Sequence, residues 1–189
     1  MGHGEFYDNL ENRDPEEREQ ALFNALPGQI SHAKENAPYF AALLANVDPD
    51  EITSRDSLAQ LPVTRKSDLI ELQAKLKPLG GLNAVPPGKM RRIYQSPGPI
   101  YDVDGFGDDW WGTARALYAA GIRAGDVVHN TFAYHFTPAG LMMETGAAAI
   151  GCAVVPAGIG NTELQVQAIA DIGCSAYTGT PSFLKIILN

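Results

Sequence analysis

The chain has 189 residues, which is enough for one ordinary domain or for one domain with a helical extension. A hydrophobic content of 45% and a charged content of 19% are typical of a globular protein and exclude a disordered one. The net charge of -8 gives a surface that repels phosphate backbones, so nucleic acid is not an expected partner.

Cysteine usage and hydropathy indicate the cellular location of the protein. Cys152 and Cys174 form no CxxC pair and have no flanking histidine cluster, so neither a disulfide framework nor a metal site is expected. Residues 1–10 have no apolar core of signal-peptide length, and no apolar run approaches the roughly 20 residues that cross a bilayer. We therefore expect a cytoplasmic protein without a membrane segment.

The first third of the chain has helical signals. Asp14 is a suitable N-cap, and Pro15 fits the first turn that follows it. Pro27-Gly28 predicts a break or a kink in this helix, and Pro38 predicts a new start. Short helices are predicted over Arg55–Gln60 and, with Thr64 as the cap, over Lys66–Leu72.

Loop chemistry then separates two parts of the chain. Residues 77–90 are rich in proline and glycine and predict a linker between a helical extension, 1–76, and an α/β part, 91–189. In the second part strands and helices alternate, which predicts a mainly parallel sheet. The predicted strands are Arg91–Gln95, Val127–Phe132, Cys152–Pro156 and Ser175–Thr178, and the predicted helices are Asp108–Ala120, Pro138–Ile150, Thr162–Ile172 and Ser182–Leu188.

The last predicted helix is strongly apolar. It carries Phe183, Leu184, Ile186, Ile187 and Leu188, and one helix face cannot bury all five. We interpret this end as that of a chain truncated within its domain, or of a chain that covers the helix with a partner subunit. A homodimer is the expected assembly.

One loop has residues that are suited to contact a phosphate group. Ser96 and Gly98 lie in the segment Gln95-Ser96-Pro97-Gly98-Pro99, directly after a predicted strand. A hydroxyl and backbone amides there can reach a phosphate. The alternative is a rigid connector, because the two prolines remove two amide donors.

Two further loops follow predicted strands, where ligands bind in open α/β sheets. Tyr134, His135 and Phe136 either line an apolar acid pocket, with the histidine beside a carboxylate, or cover the core. The segment Gly158–Glu163 offers Gly158, Gly160 and a helix amino-terminus to an anion. A turn followed by a capping box at Thr162–Gln165 explains the same residues and is favoured.

The remaining acidic and histidine positions favour structural roles. Asp102-Val103-Asp104-Gly105 lacks the other ligands of a calcium loop and predicts an acidic surface loop. Solvent or core roles are expected for three histidines, which have no visible partners: His3, His32 and His129.

Several phrases, in order along nearly the whole chain, together resemble the phenylacetate–coenzyme A ligase family. They are Tyr7-Asp8 with Arg13-Asp14-Pro15, Leu61–Leu69 (LPVTRKSDL), Ala114–Leu117 with Ala120-Gly121 and Gly125–Asn130, Gly158–Gln165 (GIGNTELQ), and Thr178–Ser182 (TGTPS).

The resemblance implies a fold and a reaction. The fold is part of the large domain of an adenylate-forming ligase. The reaction uses ATP and Mg²⁺ to convert an aromatic acid such as phenylacetate into an acyl-adenylate, from which coenzyme A forms the thioester. In this interpretation Ser96 and Gly98 contact the phosphates, and Tyr134, His135, Phe136, Gly158 and Gly160 line the acid pocket.

Two departures from the family are visible. The family's phosphate loop is rich in Ser, Thr and Gly and contains a lysine, whereas this chain has Ser96-Pro97-Gly98-Pro99. Family members are also much longer, so we expect the 189-residue chain alone to be inactive and leave its catalytic residues unassigned. A non-catalytic binding or oligomerisation module derived from the same fold is the alternative function.

Overall fold

The computed structural model describes residues 4–96 and 98–189. The first part of the chain is helical, as the sequence predicts. Its helices are α1 (Pro15–Asn36), α2 (Pro38–Leu43), α3 (Arg55–Ala59) and α4 (Lys66–Lys75), with a short 3-10 helix at Pro49–Glu51. The Asp14 side chain caps α1 by accepting hydrogen bonds from the backbone amides of Glu16 and Glu17.

Of the two effects predicted at Pro27-Gly28, a break or a kink in α1, the break is wrong. Pro27 lies inside a continuous helix, although proline removes one helical hydrogen bond. Beyond Pro27 the helix buries Ile30 with Leu44 and Ile52, and this packing offsets the local cost. The predicted cap of α4 is also wrong: Arg65 is the N-cap and makes no side-chain capping bond, while the Thr64 hydroxyl lies 3.3 Å from that of Tyr39.

A two-stranded sheet follows a 3-10 helix at Pro87–Lys89. It is formed by β1 (Arg92–Ser96) and β2 (Ile100–Asp104). The predicted acidic surface loop is wrong, because Asp104 ends β2 and is only 2% exposed. The Tyr94 hydroxyl donates to the Asp104 Oδ2 atom at 2.7 Å, and a polar partner of this kind makes a buried carboxyl tolerable.

The second sheet has three parallel strands and confirms the predicted fold class. The strand order is β4-β3-β5, where β3 is Val127–Asn130, β4 is Ala153–Pro156 and β5 is Ala176–Thr178. In the register, Val128 is paired with Val154 on one side and with Ala176 on the other. The connecting helices are α5 (Thr113–Ala119), α6 (Ala139–Ile150), α7 (Thr162–Ile172) and α8 (Pro181–Ile187).

The core of this α/β part joins strand β3 to helices α5 and α6. Its buried members are Ala114, Leu117, Ile122, Val128, Ala147 and Ile150. The helix predicted over Asp108–Ala120 is shorter than expected and begins at Thr113. The reason is that the Asp109 carboxylate accepts hydrogen bonds from the amides of Thr113 and Ala114, both at 2.9 Å, and so fixes the start of the helix.

The chain divides into two compact units. One combines the described part of residues 1–11 with 94–96 and 104–189, and the other combines 12–93 with the described part of 97–103. Within the first unit the amino-terminal segment is tied to α5, because Arg115 forms an ion pair with Asp8 at 2.7 Å and the Tyr118 hydroxyl donates to the Gly4 carbonyl. The division into an extension, a linker and an α/β domain stays a prediction.

Across residues 4–96 and 98–189, no helix combines the length and apolarity needed to span a membrane. Helix α8 is capped by Thr180, whose hydroxyl accepts a hydrogen bond from the Phe183 amide at 3.3 Å. Phe183, Leu184 and Ile187 are half-buried, but Ile186 is 56% and Leu188 is 75% exposed.

Candidate functional site

The carboxyl ends of the three parallel strands lie at one edge of the sheet, and each leads into a loop. Because these ends are adjacent, the loop after β3 at residues 131–138, the loop after β4 at 157–161 and the turn after β5 at 179–180 meet there. Five of the residues predicted from the sequence to contact an acid lie in the first two loops.

Asn130, the last residue of β3, organises this edge. It is fully buried, and its side-chain amide donates to the Tyr134 hydroxyl at 2.7 Å and to the Gly140 carbonyl at 2.8 Å. Its Oδ1 atom accepts from the Thr178 hydroxyl at 3.0 Å and from the Phe132 amide at 3.2 Å. One side chain therefore connects the ends of β3 and β5 with the start of α6.

Tyr134 presents its ring at this edge. Its hydroxyl accepts the Asn130 hydrogen bond and interacts with the Glu144 carboxylate. Burial, and next the hydrogen bond to Glu144, raise the pKa of Tyr134 far above its usual value, so the phenol stays neutral. The hydroxyl is hydrogen-bonded to Asn130 and to Glu144 within the protein, and the residue as a whole is half-buried.

Two glycines lie against the Tyr134 ring. A Cβ atom at Gly140 would lie 2.9 Å from Tyr134 Cδ2 and 2.8 Å from the Ala133 carbonyl oxygen, closer than real side chains approach. A Cβ atom at Gly158 would lie 3.8 Å from the same ring carbon. The structure thus brings Tyr134 and Gly158 together, while their predicted contact with an acid stays a prediction.

His135 and Phe136 are both exposed. Phe136 has 79% of its surface exposed and a left-handed backbone with φ of 61°, and its carbonyl accepts a hydrogen bond from the Gln95 amide at 2.9 Å. Phe136 therefore does not cover the core, and both side chains are accessible to a ligand bound beside Tyr134.

The loop after β4 is held by a buried glutamine. The Gln165 side-chain amide donates to the carbonyls of Gly158, at 3.0 Å, and Gly160, at 2.6 Å, while its Oε1 atom lies 2.8 Å from His129 Nε2. The predicted capping box is wrong, because the N-cap of α7 is Asn161, which makes no side-chain capping bond. The Gln165 side chain donates hydrogen bonds to loop carbonyls, whereas in a capping box it would accept one from the backbone amide of the N-cap residue.

The histidine predictions have different outcomes. His129 has the expected core position, at 1% exposure, with a partner that the sequence did not show. His32 is exposed and contacts Asn36 one turn later in α1. His3 lies outside the described residues.

A group of hydroxyls surrounds the end of β5. The Thr131 hydroxyl donates to the Thr178 carbonyl and lies 3.0 Å from the Tyr177 hydroxyl. A Cβ atom at Gly179 would overlap both Thr131 Oγ1 and the Tyr177 hydroxyl, so glycine is required at this turn. Sequence reasoning assigned no site role to these residues or to Asn130 and Gln165, although three of the phrases that resemble the family contain Asn130, Gln165, Thr178 and Gly179.

The two residues predicted to contact phosphate differ in exposure. Ser96 ends β1 and is buried, whereas Gly98 is exposed and has a left-handed φ of 108°. Pro97 lies outside the described residues. Nothing in their geometry tests a phosphate contact, so the role of both residues stays a prediction.

The described part of the chain has neither a candidate metal site nor an activated cysteine. Residues 4–96 and 98–189 contain no group of three or more His, Cys, Asp or Glu side chains that could hold a metal ion. Cys152 and Cys174 are both free, and burial raises the pKa of each thiol above its usual value, which disfavours the nucleophilic thiolate.

No protein-family model matches the chain. Among curated proteins, it is 33% identical to a phenylacetate–coenzyme A ligase of Aromatoleum evansii over 95% of this chain and 42% of that protein. A phenylacetate–coenzyme A ligase of Pseudomonas putida is 31% identical over 94% of this chain and 41% of its own length. The ligase of the same name from Thermus thermophilus is 32% identical over 92% and 40%.

Solved structures show the same fold. A crystal structure of 2-hydroxyisobutyryl-CoA ligase with 2-HIB-AMP and CoA, in the thioesterification state, superimposes with a TM-score of 0.85 at 24% identity, over 97% of this chain and 42% of that one. An open conformation of that ligase gives a TM-score of 0.87 at 24% identity, over 99% and 46%.

The fold and the relatives define a class, the acyl-CoA ligases of the AMP-forming type. Within that class the resemblance deduced from the sequence is confirmed, because nearly the whole chain is similar to the amino-terminal portion of phenylacetate–coenzyme A ligases. It spans about two fifths of the length of these curated relatives.

Proposed function

We propose that the chain carries the acid-binding part of an ATP-dependent, AMP-forming aryl-acid–coenzyme A ligase, and that its acid is similar to phenylacetate. The observation that supports this most directly is the position of the Tyr134 ring beside Gly158, at the carboxyl edge of the parallel sheet. An aryl group placed there would stack on or against the ring.

In this proposal each predicted acid contact has a physical task. Tyr134 supplies an apolar wall, because its hydroxyl is already bonded to Asn130 and Glu144. Gly158 keeps a side chain away from that wall, Gly160 leaves open space in the same loop, and the exposed Phe136 supplies a second aromatic surface. The exposed His135 can lie beside the carboxylate of the acid.

The proposed reaction uses ATP, Mg²⁺ and coenzyme A, and the chain has few residues suited to bind the phosphates of ATP. ATP supplies the AMP group that activates the acid, and coenzyme A supplies the thiol. The loop at residues 95–99 offers the Ser96 hydroxyl and the Gly98 amide but no cation, and its two prolines have no amide hydrogen. These residues do not fit a complete triphosphate cradle, so no phosphate step is derived from them. With no metal cluster in the described residues, Mg²⁺ would arrive with the phosphates.

The chain alone is expected to show no acid-dependent exchange between ATP and pyrophosphate above the protein-free control. The reason is the missing triphosphate cradle. Exchange of labelled pyrophosphate into ATP, measured with phenylacetate present, checks this. Robust exchange that disappears in the Ser96→Ala variant would contradict it and would show that the short loop is sufficient.

Phenylacetate is expected to bind the chain at least about fivefold more tightly than acetate, because ring contacts contribute about 1 kcal/mol. The measurement is a titration of ¹⁵N-labelled chain, in which the backbone amide signals of Gly158 and Gly160 should move. Tyr134→Leu should abolish the preference, whereas Tyr134→Phe, which keeps the ring, should retain it.

The control for this titration is Tyr101→Leu, which removes an exposed ring from the other compact unit and should leave the preference unchanged. Equal binding of the two acids by the wild-type chain, or a full preference in Tyr134→Leu, would mean that this edge of the sheet does not hold the acid.

We also propose that the chain forms a homodimer in the cytoplasm, through helix α8. Ile186 and Leu188 are exposed there, and covering each apolar side chain of this size contributes roughly 1.5–3 kcal/mol. Sedimentation equilibrium at micromolar concentration should show a dimer that dissociates in Ile186→Lys. The matched variant Val63→Lys, at an equally apolar exposed position, should leave the dimer intact. A wild-type monomer would contradict the proposal.

A further inference from the structure

The Gln165 side chain uses both amide hydrogens and its carbonyl oxygen in contacts within the protein. It is 3% exposed, and its two amide hydrogens are directed at two carbonyls of one loop, those of Gly158 and Gly160. Its oxygen faces His129 on the neighbouring strand β3. The side chain thus connects helix α7, the loop after β4 and the central strand.

The loop needs such support because of its backbone. Gly158, Gly160 and Asn161 all have left-handed conformations, with φ of 67°, 78° and 49°. Asn161 carries a Cβ atom and is therefore strained in that region. The Gly158 amide donates to the Asn130 carbonyl at 3.0 Å, so the loop is tied at one end to β3 and at the other to Gln165.

We propose that Gln165 and His129 are a positioning pair that fixes the loop at residues 158–160 in its ligand-facing conformation. The consequence for the acid rests on the proposed function, because Gly158 adjoins the Tyr134 ring in the proposed acid site. Neither residue contacts the acid. They act through the loop, by setting the distance between its backbone and the ring.

The geometry assigns a tautomer to His129. Because the Gln165 amide nitrogen donates to two carbonyls, its Oε1 atom can only accept, so the hydrogen between the two side chains belongs to His129 Nε2. In a neutral imidazole Nδ1 then carries no hydrogen. No hydrogen-bond partner of Nδ1 is found among residues 4–96 and 98–189.

The first test needs no variant. Ring ¹⁵N chemical shifts of His129 in the wild-type chain at neutral pH should report a hydrogen on Nε2 and none on Nδ1. A hydrogen on Nδ1 alone would overturn the proposal, because Gln165 could not then accept from His129 and donate to both carbonyls.

The second test is Gln165→Glu, which keeps the shape of the side chain but turns an oxygen toward the two loop carbonyls. Hydrogen exchange of the Gly158 amide should become about tenfold faster, the effect expected when about one hydrogen bond's net stabilisation is lost. Gln167→Glu makes the same change at an exposed position of the same helix and should leave the rate unchanged. A wild-type rate in Gln165→Glu would overturn the proposal.

A phenylacetate titration of the same proteins separates this inference from the proposed function. If the wild-type chain binds the acid, Gln165→Glu should weaken binding about tenfold and Gln167→Glu should not. If the wild-type chain does not bind, the proposed function fails, while the tautomer and the exchange rate still decide whether the pair positions the loop.

Discussion

Replacing Asn130 with aspartate is expected to destabilise the protein by about 3 kcal/mol at pH 7, although the two side chains have nearly the same shape. The change removes the two donors that serve the Tyr134 hydroxyl and the Gly140 carbonyl and turns a carboxylate oxygen toward them. Urea unfolding, followed by the midpoint concentration, measures the loss. Asn46→Asp, at an exposed position, should shift the midpoint very little.

The pH dependence of the Asn130→Asp variant provides a second check. A carboxyl buried against a carbonyl oxygen has a folded-state pKa above its unfolded value of about 3.9, since burial and the facing oxygen favour the protonated form. The loss of unfolding free energy relative to wild type should therefore be smallest near pH 4 and should grow as the pH rises toward 7. A deficit that is constant over this range, or stability equal to wild type, would show that the Asn130 network contributes little.

Two glycine-to-alanine changes in helices should have opposite signs. At Gly146 in α6, an added Cβ atom would overlap Thr113 Oγ1 and lie 2.9 Å from the Ala114 backbone nitrogen, so α5 and α6 would have to move apart. Because Thr113 also donates to the Met142 carbonyl, we expect a loss of about 3 kcal/mol.

Gly28→Ala in α1 is the matched control, since a Cβ atom there would meet nothing within 4 Å and the backbone is helical. It should stabilise the protein by about 0.5–1 kcal/mol, because alanine loses less conformational freedom on folding. Urea unfolding of both variants under one set of conditions checks the pair. Destabilisation by both, or by neither, would contradict the close approach of α5 and α6 at Gly146.

The sequence predicted those elements whose signals are local. Helix α7 has the predicted bounds, Thr162–Ile172, because a loop with two glycines precedes it and Gly173 ends it. Helix α8, predicted at Ser182–Leu188, lies at Pro181–Ile187, because an N-cap such as Thr180 followed by proline needs only neighbouring residues. The parallel sheet followed from the alternation of strands and helices.

The errors have tertiary causes. Packing of Ile30 keeps α1 continuous through Pro27. Helix α5 begins only at Thr113, because the Asp109 carboxylate accepts hydrogen bonds from the Thr113 and Ala114 amides. Sequence alone placed Tyr134 and Gly158 in loops that follow predicted strands, but it did not show that the two loops are neighbours. It could not show Asn130 or Gln165 as organisers, because their partners Thr178 and His129 lie 48 and 36 positions away along the chain.

The strand order β4-β3-β5 has a consequence for synthesis on the ribosome. The central strand β3 emerges first, and its two neighbours arrive only when residues 153–156 and 176–178 have been made. Until then both of its edges expose unpaired backbone groups, the condition under which nascent chains pair with one another. The shortness of β3, four residues, and its polar second half, His129 and Asn130, make it a poor template for such pairing. Residues that serve the finished site thus also protect the chain while it is still incomplete.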